Sequence, residues 1–163
     1  MKLSACLETV FHNIVDLIFA FIPQSIPAKT LFRDCKIVSH RGQHDNRVVL
    51  ENTLPAFDLV LEAAIWGVEF DIRWTKDHIP ICFHDADLMR LFGSQKRVSH
   101  MTLAEIAADY PSIPTLEALV RRYGGRMHLM VESKSVDNIK PCEQNQMLAA
   151  RLDGLAREHD YHL

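Results

Sequence analysis

The sequence lacks the features that mark several large classes of protein. Its 163 residues include four cysteines, at positions 6, 35, 82 and 142, and no two of them form a CxxC pair. This spacing argues against a zinc site, and four reduced thiols in a cytoplasmic protein are the simplest interpretation. The net charge of -3 gives no overall attraction to nucleic acid, so any recognition of phosphate must be local.

The sequence also lacks a clear membrane-spanning segment. Residues 3–22 are mostly apolar, but Glu8 and Asp16 interrupt them near one helical face. An acidic side chain near the centre of a bilayer costs about 2.5 to 3.5 kcal/mol, so a transmembrane helix is not expected. The polar face also lacks the Lys and Arg of a membrane-surface helix, which disfavours contact with a membrane surface. We expect an amphipathic helix and linker over residues 1–30, packed on a domain formed by residues 31–163.

The rest of the chain alternates strand and helix patterns. With 48% hydrophobic and 24% charged residues, it has the composition of one folded domain. Short apolar patterns predict four strands, at residues 36–39, 67–74, 79–83 and 127–131. Helical patterns cover residues 52–64, the segment after a capping box at Thr102 and Glu105, residues 114–123 and residues 141–158. This order predicts an α/β fold with a parallel sheet covered by helices.

The polar residues favour a barrel over an open sheet. Gly42 stands alone after the first strand, so the Gly-rich loop of a dinucleotide-binding fold is missing. Ionisable residues follow or end all four predicted strands, namely His40 and Arg41, Glu69 and Asp71, His84 and Asp85, Glu132 and Lys134. In a parallel barrel the carboxyl ends of the strands face one site. The pattern predicts a TIM-barrel type (β/α) architecture, of which this chain carries the first four βα units.

Three carboxylates in this set are candidate metal ligands. Glu69 and Asp71 are two residues apart on one strand, so both side chains point to the same side. Together with Glu132 they supply hard oxygen ligands, which suit Mg²⁺ or Ca²⁺ better than zinc. A divalent cation is the simplest way to stabilise such a cluster. The alternation also permits Glu69 and Asp71 to lie on the solvent face of an edge strand.

Six blocks of sequence, in this order, resemble the signature of the glycerophosphodiester phosphodiesterase family. They are His40-Arg41-Gly42, Glu51-Asn52-Thr53-Leu54-Pro55-Ala56-Phe57, Gly67-Val68-Glu69-Phe70-Asp71 with Thr75-Lys76-Asp77, His84-Asp85, Ile113-Pro114-Thr115-Leu116 and Glu132-Ser133-Lys134. The resemblance covers residues 37–134. It implies a TIM barrel, a divalent metal, and hydrolysis of small glycerophosphodiesters to glycerol 3-phosphate and an alcohol.

The resemblance also implies a role for individual residues. It makes Glu69, Asp71 and Glu132 the metal ligands, His40 and His84 the acid-base pair, Arg41 a catalytic phosphate contact, and Glu51 and Lys134 substrate-binding residues. These roles suit the chemistry, because a guanidinium can bind two phosphate oxygens at once. An unperturbed imidazole, with a pKa of about 6.5, exchanges protons near neutral pH. Either water or the glycerol hydroxyl can be the attacking group.

Two of these residues have alternative roles. Glu51 and Asn52 are placed to cap the first long helix of the domain. Lys134 can pair with a ligating carboxylate, touch the phosphate or remain solvated at the surface.

The length of the chain predicts an incomplete barrel. A TIM barrel has eight strands in about 250 residues, and four strands leave the first and fourth with open edges that invite self-association. We favour a fragment over a pair of copies or a complement from another chain. Two functional alternatives follow. One is a phospholipid-cleaving enzyme of the same barrel class, as in the related sphingomyelinase D or phosphatidylinositol-specific phospholipase C. The other is an inactive remnant that serves as an interaction module.

Overall fold

A computed structural model describes residues 14–22, 31, 34–136 and 140–159. The chain divides into two compact units, Met1–Cys35 and Lys36–Leu163. In the first unit, residues 14–21 are helical and expose apolar side chains, including Phe19 and Phe21. The earlier part of the predicted amphipathic helix lies outside the described residues, and its packing stays a prediction. None of the helices within the described ranges combines the length and hydropathy that a bilayer crossing requires.

The second unit is built around one long strand. Strand β2 (Gly67–Trp74) is flanked by β1 (Val38–His40) and β4 (His128–Ser133), and both run parallel to it. The register places His40 opposite Glu69 on one side of β2. It places Asp71 opposite Glu132 on the other side. The α/β class and the central strand are therefore as the sequence predicts.

The third strand corrects the prediction of four successive βα units. Strand β3 (Pro80–Cys82) pairs with the last residues of β2 in the antiparallel direction. A crossover to a parallel strand needs a dozen or more residues, and only a short turn separates β2 from β3. In that turn the Thr75 hydroxyl donates to Asp77 Oδ1 at 2.6 Å and accepts from the Ile79 amide at 2.9 Å. Among the described strands, β1, β2 and β4 are the parallel ones.

Helices α1 (Leu54–Glu62), α4 (Leu116–Tyr123) and α5 (Pro141–His159) share a buried cluster with the apolar residues of β2. Helices α2 (Met89–Phe92) and α3 (Leu103–Asp109) pack with Ile81 of β3 in a second cluster. The apolar residues of β2 alternate along the strand and are fully buried, among them Phe70 and Ile72. Phe57 of α1 lies 5.9 Å, between ring centroids, from both Phe70 and Tyr123. Because alternate residues point to opposite faces, the intervening Glu69 and Asp71 lie on the other face of β2.

The helix termini confirm one prediction and correct another. Thr102 and Glu105 form the expected capping box at the start of α3. At α1, however, the N-cap is Thr53, whose hydroxyl donates to the Leu50 carbonyl at 2.6 Å instead of capping the helix. The expectation that Glu51 and Asn52 cap this helix is wrong. Asn52 instead adopts a φ of 57° and donates its side-chain amide to Asp71, 19 residues away.

A glycine lets the loop after β1 approach α1. Gly42 has a φ of +83°, and a Cβ there would lie 2.7 Å from Ala56 Cβ. Both the backbone strain and the overlap predict that Gly42→Ala lowers the free energy of unfolding by about 2 to 4 kcal/mol. Gly93 also has a positive φ, but a Cβ there meets nothing within 4 Å. Gly93→Ala should therefore cost about 1 to 2 kcal/mol in urea unfolding followed by circular dichroism, and equal losses would contradict the packing argument.

Candidate active site

Three carboxylates converge where β2 and β4 lie side by side. One oxygen from each of Glu69, Asp71 and Glu132 lies within 4.8 Å of the other two. Parallel pairing explains this, because Asp71 and Glu132 are opposite each other and Glu69 is two residues back on β2. The alternative that Glu69 and Asp71 form a solvent face does not hold, since Asp71 is fully buried and Glu69 largely so.

Glu69 is the least compensated member of the cluster. Both of its carboxylate oxygens are buried, and neither accepts a hydrogen bond from the described part of the chain. His40 Nε2 lies 3.7 Å from one of these oxygens. Burial, followed by the negative charge of Asp71, raises the pKa of Glu69 above its usual range. A buried carboxylate without donors has a strong electrostatic preference for a nearby cation.

Asp71 is surrounded by donors. Asn52 Nδ2 donates to Asp71 Oδ2 at 3.0 Å, and Arg41 Nε lies 3.1 Å from the same oxygen. Lys134 Nζ lies 2.9 Å from Oδ1 and also contacts Glu132. Burial acts to raise the pKa of Asp71, but the hydrogen bonds from Lys134 and Asn52 and the charge of Arg41 outweigh it and lower the pKa. Lys134 therefore pairs with two of the three clustered carboxylates, as one of the sequence alternatives states.

Glu51 lies beside the cluster and is bound from several directions. Only 4% of its surface is exposed. Its Oε1 accepts from Arg41 Nη1 at 3.0 Å, and its Oε2 accepts from Asn46 Nδ2 at 2.7 Å. Arg90 adds two further bonds, at 2.6 Å to Oε1 and 3.0 Å to Oε2. Glu51 therefore fixes the guanidinium of Arg41, whose Nε faces Asp71.

The ion pairs of Glu51 predict acid sensitivity. Burial raises the pKa of Glu51, but Arg90, Asn46 and Arg41 lower it more, from 4.5 to about 2. Because the folded pKa lies below the unfolded one, this stabilisation is present above about pH 4.5 and is lost as the pH falls towards 2. We expect Glu51→Gln to lower the free energy of unfolding by about 2 to 3 kcal/mol at pH 7 and to flatten its decline over that acidic range.

Denaturant unfolding at several pH values measures this effect. Glu117→Gln is the matched control, because Glu117 is 55% exposed and pairs with Arg121 one helical turn away. An exposed pair of this kind contributes about 0.3 to 0.5 kcal/mol. A Glu51 variant with the same acid dependence as the unmodified chain would contradict the assignment.

The antiparallel pairing of β3 brings the chain just before His84 alongside β2. The Phe83 amide donates to the Asp71 carbonyl at 3.1 Å, so the chain after β3 lies level with Asp71 on β2. His84 Nδ1 lies 2.6 Å from Asp85 Oδ1. Arg73 Nε donates to the His84 carbonyl at 2.9 Å, and its Nη1 donates to the Ser135 carbonyl at 3.0 Å. Arg73 thus ties the segment after β3 to the segment after β4.

The charges of this site fit a divalent cation. Five carboxylates belong to the connected group, and they are Glu51, Glu69, Asp71, Asp85 and Glu132, against the cations Arg41, Arg90 and Lys134. With neutral imidazoles the group carries a formal charge of about -2, which one divalent ion would cancel. The donor set consists of hard oxygens, and Glu69 supplies two without hydrogen bonds from the described residues.

The sequence alone did not single out two contributors. The position of Asn52 predicts a role in helix capping, whereas its side-chain amide binds Asp71. Arg90 lies outside the six resembling blocks, yet it forms hydrogen bonds with Glu51 and Asp85. No local pattern links Arg90 to a carboxylate 39 residues earlier, so only the tertiary structure reveals the pair.

Comparison with known proteins gives a consistent result. Residues 40–161 match the model of the glycerophosphoryl diester phosphodiesterase family. The chain is 29% identical over 137 residues to glycerophosphodiester phosphodiesterase 1 of Bos taurus, covering 72% of this chain and 40% of the bovine protein. Among solved structures, a glycerophosphodiester phosphodiesterase of Thermotoga maritima has a TM-score of 0.60 and 30% identity, covering 75% of this chain and 50% of that one.

A second structure carries a bound product. An Oleispira antarctica phosphodiesterase in complex with sn-glycerol-3-phosphate has a TM-score of 0.58 and 26% identity, covering 77% of this chain and 53% of that one. The chain thus spans about half the length of these relatives, or less. The matched region contains every residue of the site described above. The chain belongs to the glycerophosphoryl diester phosphodiesterase family.

Proposed function

We propose that this chain provides the metal-binding and phosphate-binding part of a hydrolase that converts glycerophosphodiesters into glycerol 3-phosphate and an alcohol. The convergence of Glu69, Asp71 and Glu132, with His40 Nε2 3.7 Å from Glu69, is the observation that carries this proposal. The glycerol phosphate bound by the Oleispira antarctica relative supports the substrate class. The free thiols of the described cysteines support a cytoplasmic location.

The three carboxylates would hold Mg²⁺ or Ca²⁺. When bound, such an ion neutralises charge on the non-bridging oxygens of a phosphodiester and orients them. Glu69 would be the strongest contributor, because its oxygens are buried and have no described donor. Lys134 contacts Asp71 and Glu132, so its ammonium lies close enough to the ligands to approach a phosphate oxygen held there.

Arg41 and the two histidines would act on the substrate directly. Arg41 is held by Glu51 and Asp71, which fixes the plane of its guanidinium before substrate arrives. His40 is 68% exposed and His84 is 31% exposed at the side chain, so both imidazoles can be reached from solvent. One would accept the proton of the attacking hydroxyl or water, and the other would donate a proton to the leaving alkoxide. Glu51, fully occupied by its donors, would serve the substrate through Arg41.

An assay of the purified chain tests the proposal. Glycerophosphocholine is incubated with Mg²⁺ or Ca²⁺, and released choline and glycerol 3-phosphate are measured. Formation of both products, and its loss on addition of EDTA, is the expected result. Hydrolysis of micellar phospholipid in preference to the soluble diester would assign the phospholipid-cleaving alternative. A folded chain that binds the ion and hydrolyses neither substrate would overturn the enzymatic proposal and favour the interaction module.

Self-association is a separate proposal for this chain. Within the described sheet, β1 and β4 each pair with β2 and with no other strand, so each has an open edge. Two copies would contribute six parallel strands, whereas a TIM barrel has eight. We therefore propose that association occurs along strand edges without rebuilding a closed barrel. Light scattering that shows a monomer at high concentration would contradict this.

A further inference from the structure

Arg90 makes more contacts than its position suggests. It lies on the four-residue helix α2, and 43% of its side chain is exposed. Its guanidinium nevertheless donates three hydrogen bonds, two to Glu51 at 2.6 and 3.0 Å and one to Asp85 at 2.7 Å. An exposed arginine loses side-chain entropy when it is held in one geometry, so three hydrogen bonds indicate that the position of Arg90 contributes to the site.

The two carboxylates that Arg90 joins come from different segments of the chain. Glu51 precedes α1 and holds Arg41, the proposed phosphate contact. Asp85 follows β3 and holds His84, one of the two proposed acid-base residues. Arg90 is therefore the link in a continuous series of contacts from Arg41 through Glu51 and Asp85 to His84.

We propose that Arg90 is a positioning residue that orients Asp85 towards His84 and thereby fixes the His84 proton on Nδ1. Through Glu51 it also fixes the position of His84 relative to Arg41. An ionised carboxylate only accepts hydrogen bonds, so the Nδ1 atom facing Asp85 must carry the proton. The Arg90 bond to Asp85 Oδ2 turns the other oxygen towards the imidazole. In the neutral ring this leaves Nε2 as the basic atom. The further step, that His84 moves a proton during hydrolysis, rests on the proposed function.

The fork of the arginine is essential to this arrangement. Nε binds Asp85 while both terminal nitrogens bind Glu51, so one planar group sets the distance between the two carboxylates. A lysine at the same place would keep the charge but present a single ammonium. Arg90→Lys therefore separates the effect of charge from the effect of geometry, and Arg90→Ala removes both.

Nuclear magnetic resonance of the histidine rings tests the tautomer directly. The full chain is labelled with ¹⁵N-histidine and measured at about pH 8, where an ordinary imidazole is neutral. We expect His84 to hold its proton on Nδ1 in the unmodified chain. In Arg90→Ala and Arg90→Lys the ratio of the Nδ1–H to the Nε2–H form should fall by about fivefold or more. Asp85→Asn, followed through the same His84 resonance, should abolish the preference for the Nδ1–H form.

Arg122→Ala is the matched control. Arg122 is 50% exposed and binds both oxygens of Asp58 at 3.0 and 2.8 Å, and neither residue belongs to the connected charged group of the site. Its loss should leave the His84 resonance unchanged. An unchanged tautomer ratio in a folded Arg90→Lys or Arg90→Ala variant would overturn the positioning proposal. The two variants are made in parallel because the lysine keeps the positive charge between the carboxylates.

Kinetics add a second readout where the chain hydrolyses glycerophosphocholine. Both Arg90 variants should lower kcat about 10-fold or more, with the lysine giving little rescue, because a misplaced imidazole slows proton transfer. The tautomer is measured without substrate. If the chain does not hydrolyse the substrate, only the proposed function is contradicted. If the His84 resonance is unaltered in the Arg90 variants, only the positioning role of Arg90 is contradicted.

Discussion

Glu69→Gln should remove most of the stabilisation of this chain by Ca²⁺ or Mg²⁺. A ligand that binds the folded state at about 100 times its Kd raises the free energy of unfolding by about 2.7 kcal/mol. In the variant we expect binding to weaken by about 100-fold or more, so most of this increment should disappear. Glutamine keeps the size of the side chain but replaces one hard, charged oxygen with an amide nitrogen that cannot ligate.

The same variant should have the opposite effect when EDTA is present. Glu69 is a buried carboxylate beside Asp71, and burial raises its pKa, so its ionised form destabilises the fold without a cation. Glu69→Gln removes that charge and should leave the chain as stable as before, or more stable. A large loss of stability in EDTA would show that Glu69 has a structural role instead.

Thermal unfolding with and without Ca²⁺ measures both effects in one experiment. Glu117→Gln again serves as the control, because it removes an exposed carboxylate of α4. It should keep the full response to the ion. A Glu69 variant that is still stabilised by Ca²⁺ to the original extent would exclude this cluster as the binding site.

The acidic cluster could be predicted because it follows from the period of one strand and from the parallel direction of its neighbour. Glu69 and Asp71 share one strand, and the period of two fixes their common side. Glu132 joins them because β4 runs parallel to β2 in the register that places it opposite Asp71. The capping box at Thr102 was readable for a similar reason, since its two partners are three residues apart.

The features that were not predicted depend on the direction of a strand or on contacts between residues that are far apart in the sequence. An apolar run has the same period in a parallel and an antiparallel strand, so the pattern alone does not give the direction of β3. The turn at Thr75 and Asp77 sets that direction. The position of Asn52 before α1 predicts a helix cap, yet its side-chain amide donates to Asp71 on β2. Arg90 binds Glu51 across 39 residues, and such a pair leaves no periodic signal.

His84→Ala should lower kcat for glycerophosphocholine by about 10² to 10⁴-fold while leaving the response to Ca²⁺ intact. Loss of a positioned acid or base typically has an effect of this size. His84 is not one of the three clustered carboxylates, so ion binding should persist. His100→Ala is the control, because His100 is exposed in the turn before α3, and it should be fully active. A His84 variant with normal turnover would remove the residue from the reaction.

The nature of the leaving group would then show whether His84, as proposed, acts as a general acid or as a general base. A p-nitrophenyl diester of glycerol phosphate releases nitrophenolate, a stable anion that needs little protonation, whereas the choline alkoxide needs a proton as its bond breaks. If His84 is the general acid, its loss should slow glycerophosphocholine far more than the nitrophenyl diester. If it is the base, both substrates should slow to the same extent, because activation of the attacking group precedes departure in each. Since Asp85 holds Nδ1, Nε2 is the atom that would transfer the proton in either case.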